Sequence, residues 1–549
     1  MLTLAVTAPL LGPGYLLLRD AVSTPRSHLT DAALGLTQAA PRALPQDVAV
    51  ALLSSVLDGG VVVTALLIAG IWLAGWGAAR LVATLLPDAG VAGQCVAVTV
   101  AIWNPYVAER LLQGHWSLLV GYGALPWLAA AVLGLRSGTA GVGAVLFWTA
   151  VAGLTPTGLM LAATIALACS VASGAGRSRL VCAAVSLAAA VGAALPWLVA
   201  SAVAGGWGSA VDQGAAVGAF AARAEPGLGT LGSLAGLAGI WNAEAVPASR
   251  TTLFAVVSTV VLFAVVAVGV PVLIRRRVAP PLLVVAAVAV VVPALMATGP
   301  GLAAVTAVVD AVPGLGVVRD GQKWVALAMP AYALAGAAAV PALRPRVPAL
   351  ATAAVCCAAL VATLPDLAWG VGGRMHPVRY PAAWAEAAAV IDADPAPVAV
   401  LPVDSMRRFP WAGPAPVLDP LPRWLRAEVL TTGDLSIGGR TVPGEGTRAR
   451  EVQELLRAGA DRERLAAAGV GWVVIEHSGA NSGANLALPV AFRSADLTVY
   501  RVGGSAPAAP HRALVLAAHG VWLAQLGIGA TLMVLRRRRS QRRASGSAT

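Results

Sequence analysis

Apolar positions in this chain come in long unbroken runs, separated by connectors that hold most of the charge. The runs lie at residues 1–18, 60–82, 89–104, 117–135, 139–154, 158–174, 180–201, 251–274, 279–297, 323–342, 347–367 and 512–535. Most match the roughly 17 to 25 apolar residues that carry a helix across a bilayer. Lipid offers backbone N–H and C=O groups no partner, so each run is expected to be helical. The pattern thus predicts an α-helical polytopic membrane protein with about 12 transmembrane helices, 89–104 and 139–154 being short for a perpendicular crossing. Run 1–18 lacks a basic flank and a small-residue cleavage site, so it reads as a retained helix rather than a signal peptide.

One stretch breaks the pattern. In residues 371–508, "PVAVLP" at 397–402, "GWVVIE" at 471–476 and "ADLTVYRV" at 495–502 are short strand-like segments. Residues 448–468 have amphipathic helical spacing, with Glu451, Glu454 and Arg457 on a polar face. The expectation is a small α/β domain at 371–508 between a membrane core at 1–370 and a last helix with a basic tail at 509–549.

Composition narrows the class further. Of 549 residues, 58% are hydrophobic and 12% charged, and the mean hydropathy is +0.78. Soluble chains carry roughly 25% charged residues, so this one cannot cover a water-facing surface. The net charge of +12 does not indicate nucleic acid, because the arginines sit in short connectors, as at Arg275 to Arg277 and at Arg536 to Arg539 with Arg542 and Arg543. With a cytoplasmic N-terminus, Arg80, Arg136, Arg177, Arg179, Arg275 to Arg277, Arg344, Arg346 and the tail all fall on one side. The positive-inside rule makes that side, with both termini, the cytoplasm of a multi-pass cell-membrane protein. Connectors 19–59, 105–116, 202–250, 298–322 and 368–511, and so the α/β domain, are then extracytoplasmic. Cys95, Cys169, Cys182, Cys356 and Cys357 all fall in apolar runs, and no metal-ligand spacing is present.

Three outer segments place ionisable groups beside membrane spans, where they are costly and point to function. Residues 12–35 supply Arg19, Asp20, Arg26, His28 and Asp31. Residues 103–128 supply Asn104, Tyr106, Glu109, Arg110 and His115. Residues 317–324, "VVRDGQKW", supply Arg319, Asp320, Gln322 and Lys323, the chain's sole lysine. Charges at helix ends also snorkel or pair with one another, and Trp103, Trp116, Trp127 and Trp324 suit an interfacial belt. Taken together, carboxylates, arginines and one lysine beside apolar walls suit a substrate with a phosphate head and a lipid tail, and a carboxylate can deprotonate an acceptor hydroxyl.

A first run ending in an early Asp, a many-span core and "RDGQKW" before a late span resemble the GT-C superfamily of polyprenyl-phosphate-sugar-dependent glycosyltransferases. The likeness covers roughly residues 1–370 and is nearest to actinobacterial cell-envelope arabinofuranosyltransferases and mannosyltransferases. It implies that Asp20, an acid of the first outer loop, is the catalytic base or a metal ligand, with Asp31 or Glu109 in reserve. Arg19, Arg110, His115, Arg319 and Lys323 would bind substrate. The partners implied are a polyprenyl-phosphate-linked sugar donor, a cell-envelope glycan or lipid acceptor and the membrane lipids, with no nucleic acid. No second acid adjoins Asp20, so a paired-carboxylate metal motif is missing and the cofactor stays open. A transporter or flippase of lipid-linked saccharides would instead need charges near mid-span and a twofold repeat. A non-catalytic envelope-assembly scaffold would need only the outer domain.

Overall fold

The computed structural model describes residues 1–37, 43–203, 214–276, 279–312, 315–402, 405–437, 440–442, 444, 446–477, 486–506 and 509–546. Among them, seven helices are long and apolar enough to cross a membrane: Gly59–Leu85, Pro87–Gln113, Trp116–Ser137, Arg179–Val203, Phe254–Ile274, Gly321–Leu343 and Arg512–Arg539. Two bent pairs raise the number to nine, Pro280–Met296 with Gly299–Ala311 at 94° and Ala349–Ala362 with Pro365–Gly372 at 74°. Shorter apolar helices cover Leu2–Leu11, Val142–Ala152 and Pro156–Ser170.

The twelve expected spans are therefore met as seven to nine of spanning length, and the largest departure is at the start. Residues 1–18 form a helix Leu2–Thr7 and a tight 3-10 turn Ala8–Leu11, and then a strand Leu17–Leu18. Pro9 and Pro13 lack the N–H that would continue the helix, and Gly12 and Gly14 weaken it further. The stretch 298–322, expected as a connector, holds the bent helix Gly299–Ala311.

On the face of the core where Gly59–Leu85 and Trp116–Ser137 end, Arg276 pairs with Asp88 at 2.9 Å, Arg344 donates to the Asp88 carbonyl at 2.7 Å and Arg536 donates to the Thr139 carbonyl at 2.7 Å. This is the face of the connector arginines; Arg277 lies outside the described residues. Close packing of the core uses small residues, as expected where lipid supplies no hydrophobic drive between helices. A Cβ on Gly123 would lie 2.2 Å from the Gly70 carbonyl oxygen, which lets Gly59–Leu85 and Trp116–Ser137 touch backbone to backbone.

At the other face, residues 371–508 carry a five-stranded sheet in the spatial order Val490–Arg493, Leu497–Arg501, Trp472–Glu476, Val398–Leu401, Val429–Leu430. The middle strands Val398–Leu401 and Trp472–Glu476 are parallel, and Leu497–Arg501 returns antiparallel to Trp472–Glu476. The amphipathic stretch 448–468 forms two helices rather than one, Thr447–Arg457 and Arg462–Ala467. Gly459, at φ +70°, turns the chain between them, and Asp461 caps the second through the Arg464 N–H at 2.9 Å.

This unit is stitched to the first connector by backbone hydrogen bonds. Tyr15 and Val378 exchange two, at 2.8 and 2.9 Å. The Arg19 N–H donates to the Pro416 carbonyl at 2.9 Å, and the Leu418 N–H to the Arg19 carbonyl at 2.8 Å. The residue before Asp20 is thus held by the sheet unit.

Candidate functional site

The site forms where a hairpin meets the end of a helix. Strands Leu17–Leu18 and Ala21–Val22 pair with Leu18 opposite Ala21, which leaves Arg19 and Asp20 as a two-residue turn. Such turns need positive φ at the first central position, and Arg19 takes it at +49°. Its guanidinium holds the strain by donating to the Leu112 carbonyl at 2.7 Å and the Glu244 carbonyl at 2.9 Å. Arg19 is buried and committed to the fold.

The helix is Pro105–Gln113. Asn104 caps it, accepting the Val107 N–H at 3.1 Å, and Pro105 supplies the first turn. Gly114 ends it in the left-handed conformation, φ +84°. A Cβ there would lie 2.3 Å from Ala21 N and 2.4 Å from Leu18 O, so only glycine lets the hairpin lie against the helix end. That contact brings Asp20 to Gln113 and His115.

Asp20 Oδ2 accepts two hydrogen bonds, from Gln113 Nε2 at 3.0 Å and from His115 Nε2 at 2.9 Å. Among the described residues, no hydrogen bond reaches Oδ1, and 40% of the side chain is exposed. The protein around Asp20 would raise its pKa, but the His115 and Gln113 hydrogen bonds and the Lys323 charge outweigh that and hold it below the ordinary carboxylate value.

Behind His115 lies a buried charge pair. Arg110, fully buried, binds Asp320 with both terminal nitrogens, at 3.0 and 3.2 Å, and also donates to Gln322 Oε1 and to His115 Nδ1, the latter at 2.9 Å. Burial would raise the Asp320 pKa, yet Arg110 and Lys323 pull it down to about 2. Lys323 Nζ lies 3.6 Å from Asp320 Oδ2 with 23% of its side chain exposed. Asp320 sits between two 3-10 segments, Leu315–Arg319 and Gly321–Ala328, a geometry that turns Asp320, Gln322 and Lys323 toward Arg110 and Asp20.

Of the residues singled out from sequence, Asp20, Arg110, His115 and Lys323 come together. Glu109 is wholly buried and accepts the Gly239 and Ile240 N–H groups, at 3.2 and 3.1 Å, and Gln322 Nε2 at 3.0 Å. It ties three connectors together from behind the site. Asp31 pairs with Arg512 at the start of the last helix, apart from this network. The Arg319 guanidinium stacks over Phe220, 4.4 Å from the ring centre. Sequence reading missed Gln113 as a network member and Glu244 as the partner of Arg19. Gln113 lies inside the polar segment 103–128, within one turn of Arg110, which was the available signal.

A divalent cation does not fit Asp20 as it stands. The groups facing its bonded oxygen are N–H donors, the lone pair of His115 is turned to Arg110, and Lys323 adds positive charge. Among the described residues, no three His, Cys, Asp or Glu gather to hold a metal.

Comparison with family models and with curated proteins returns no match. Among solved structures, the chain is similar to arabinofuranosyltransferase AftD from Mycobacteria, at 17% identity and a TM-score of 0.51. The alignment covers 92% of this chain and 41% of AftD. The chain thus spans under half the length of that protein, with which it shares its fold.

Proposed function

We propose that this protein is a membrane glycosyltransferase that moves a sugar from a polyprenyl-phosphate donor to a cell-envelope glycan or lipid acceptor on the extracytoplasmic side. The observation that carries the reading is the presentation of Asp20, on a fold shared with an arabinofuranosyltransferase. One oxygen is anchored by two donors, the other is open, and the positive charge of the sole lysine acts on it. Asp20 Oδ1 takes the acceptor hydroxyl proton as the acceptor oxygen attacks the anomeric carbon. The bond from that carbon to the phosphate oxygen breaks, and its electron pair leaves with polyprenyl phosphate. Lys323 offsets the charge that develops on the phosphate. Arg319, on the same segment, belongs to the phosphate-binding side in this reading.

The arginine-rich face is the cytoplasmic one, and residues 371–508 form an extracytoplasmic domain that braces the catalytic hairpin through Pro416 and Leu418.

Asp20→Asn keeps size and removes the base. The expected outcome is normal accumulation in the membrane with transfer reduced roughly 10²- to 10⁴-fold. It is checked by release of polyprenyl phosphate from a radiolabelled polyprenyl-phosphoryl-arabinofuranose and by envelope glycan analysis in a deletion strain. Full activity of the variant would reject Asp20 as the base.

A further inference from the structure

We infer that His115 is a positioning residue that fixes the reactive geometry of Asp20, with its ring tautomer dictated by Arg110. This rests on Asp20 being the base. Donor and acceptor counts at the ring fix the tautomer. A guanidinium can only donate, so the 2.9 Å contact from Arg110 Nη1 requires a lone pair on His115 Nδ1. The ring proton of the neutral imidazole is then on Nε2, which donates to Asp20 Oδ2 at 2.9 Å. A second ring proton would have to point at Arg110, so the geometry admits only the neutral ring. Burial, with Arg110 and Lys323 nearby, lowers the His115 pKa in the same direction.

Arg110 is itself locked by its two-point contact with Asp320. The result is a fixed sequence, Asp320 to Arg110 to His115 to Asp20, that reaches from the buried core to a half-exposed carboxylate. It ends on one carboxylate oxygen and leaves Oδ1 for substrate. The charged and titratable groups that face Asp20 are His115 and Lys323, with Arg110 and Asp320 behind them and Arg19, paired to Glu244 at 3.6 Å, on the hairpin side. His115 keeps its proton throughout turnover and is not the base.

Two amide substitutions separate the ring's two contacts. His115→Gln places an amide where Nε2 stands and keeps the donor to Asp20. His115→Asn places one where Nδ1 stands, keeps the partner of Arg110 and loses that donor. The protonation of Asp20 is read on the purified full-length chain by dicyclohexylcarbodiimide, which reacts with protonated carboxyl groups, with modification at Asp20 followed by mass spectrometry against pH. Loss of a donor to a carboxylate raises its pKa. The labelling midpoint is therefore expected to rise by about one pH unit in His115→Asn and to stay near wild type in His115→Gln. In the arabinofuranose-donor assay, His115→Asn is expected to lose roughly 10- to 100-fold, with the acidic limb of the profile moved to higher pH, and His115→Gln to retain most activity.

Equal midpoints in wild type and in folded His115→Asn overturn the inference. So does His115→Asn outperforming His115→Gln, because the ring would then serve Arg110. Asp20→Asn in the same assays separates the two levels. Undiminished turnover there removes the base assignment, whereas lost turnover there with an unmoved midpoint in His115→Asn removes only the positioning role.

Discussion

Asp320 has two cationic partners in different surroundings, and the difference sets what each contributes. Arg110 is fully buried, while 23% of the Lys323 side chain is exposed. Removing one partner of a buried pair strands the other charge and typically costs about 3–5 kcal/mol. Arg110→Ala is therefore expected to lower the Tm of the full-length chain in detergent sharply. Lys323→Ala leaves the two-point Arg110 contact intact, so its Tm should barely move. It should instead weaken binding of polyprenyl phosphate by roughly 10- to 100-fold, the size of a hydrogen bond to a charged group. Calorimetry and a direct binding titration on both variants check the contrast; equal Tm losses would make Lys323 a fold residue. From sequence alone the two cations were equivalent candidates, since burial depth is not written in the local pattern.

Strands and helices of residues 371–508 were readable because their periods are local. "PVAVLP", "GWVVIE" and "ADLTVYRV" all appear as strands of one sheet. What the pattern could not show is the cluster that locks this sheet to the strand beside Arg19. Arg407 donates to Glu476, at the end of a central strand, and to Asp419 at 3.4 Å, and Asp419 also accepts the Leu421 N–H at 2.8 Å. Burial, with Asp419 adjacent, pushes the Glu476 pKa up to about 8, and burial raises that of Asp419 as well. The native state then holds a proton that the unfolded chain releases between the ordinary glutamate range and about pH 8, so stability falls as pH rises through that window. Thermal denaturation of the full-length chain is expected to show a Tm that declines from about pH 5 to about pH 8, and Glu476→Gln should flatten the decline. An unchanged slope in the variant would show that another group titrates.

At the scale of the whole molecule, the arrangement of faces yields a labelling test. Glu386→Cys lies on the exposed side of the helix Ala382–Asp392, and Ser540→Cys lies in the basic tail. An impermeant thiol reagent is expected to modify the first in intact cells and the second only after permeabilisation. Equal access to both would undo the orientation. The sequence by itself determined that the chain is helical and membrane-embedded, where its strands run and which segments concentrate polar residues. Hydropathy and side-chain period depend only on neighbours along the chain, so these features needed no knowledge of the fold. The tertiary structure decided that the first apolar run stops short and turns back as a hairpin, and which charges meet. Asp20 meets His115 across 95 positions and Arg110 meets Asp320 across 210. Arg19 and Asp31 have the same chemistry as the residues that form the network, yet the fold turns them to other partners. The physical reason is that a buried charge must be compensated by whatever group the packing brings within hydrogen-bonding distance. Here that is set by one glycine, Gly114, whose missing Cβ lets a hairpin and a helix end touch.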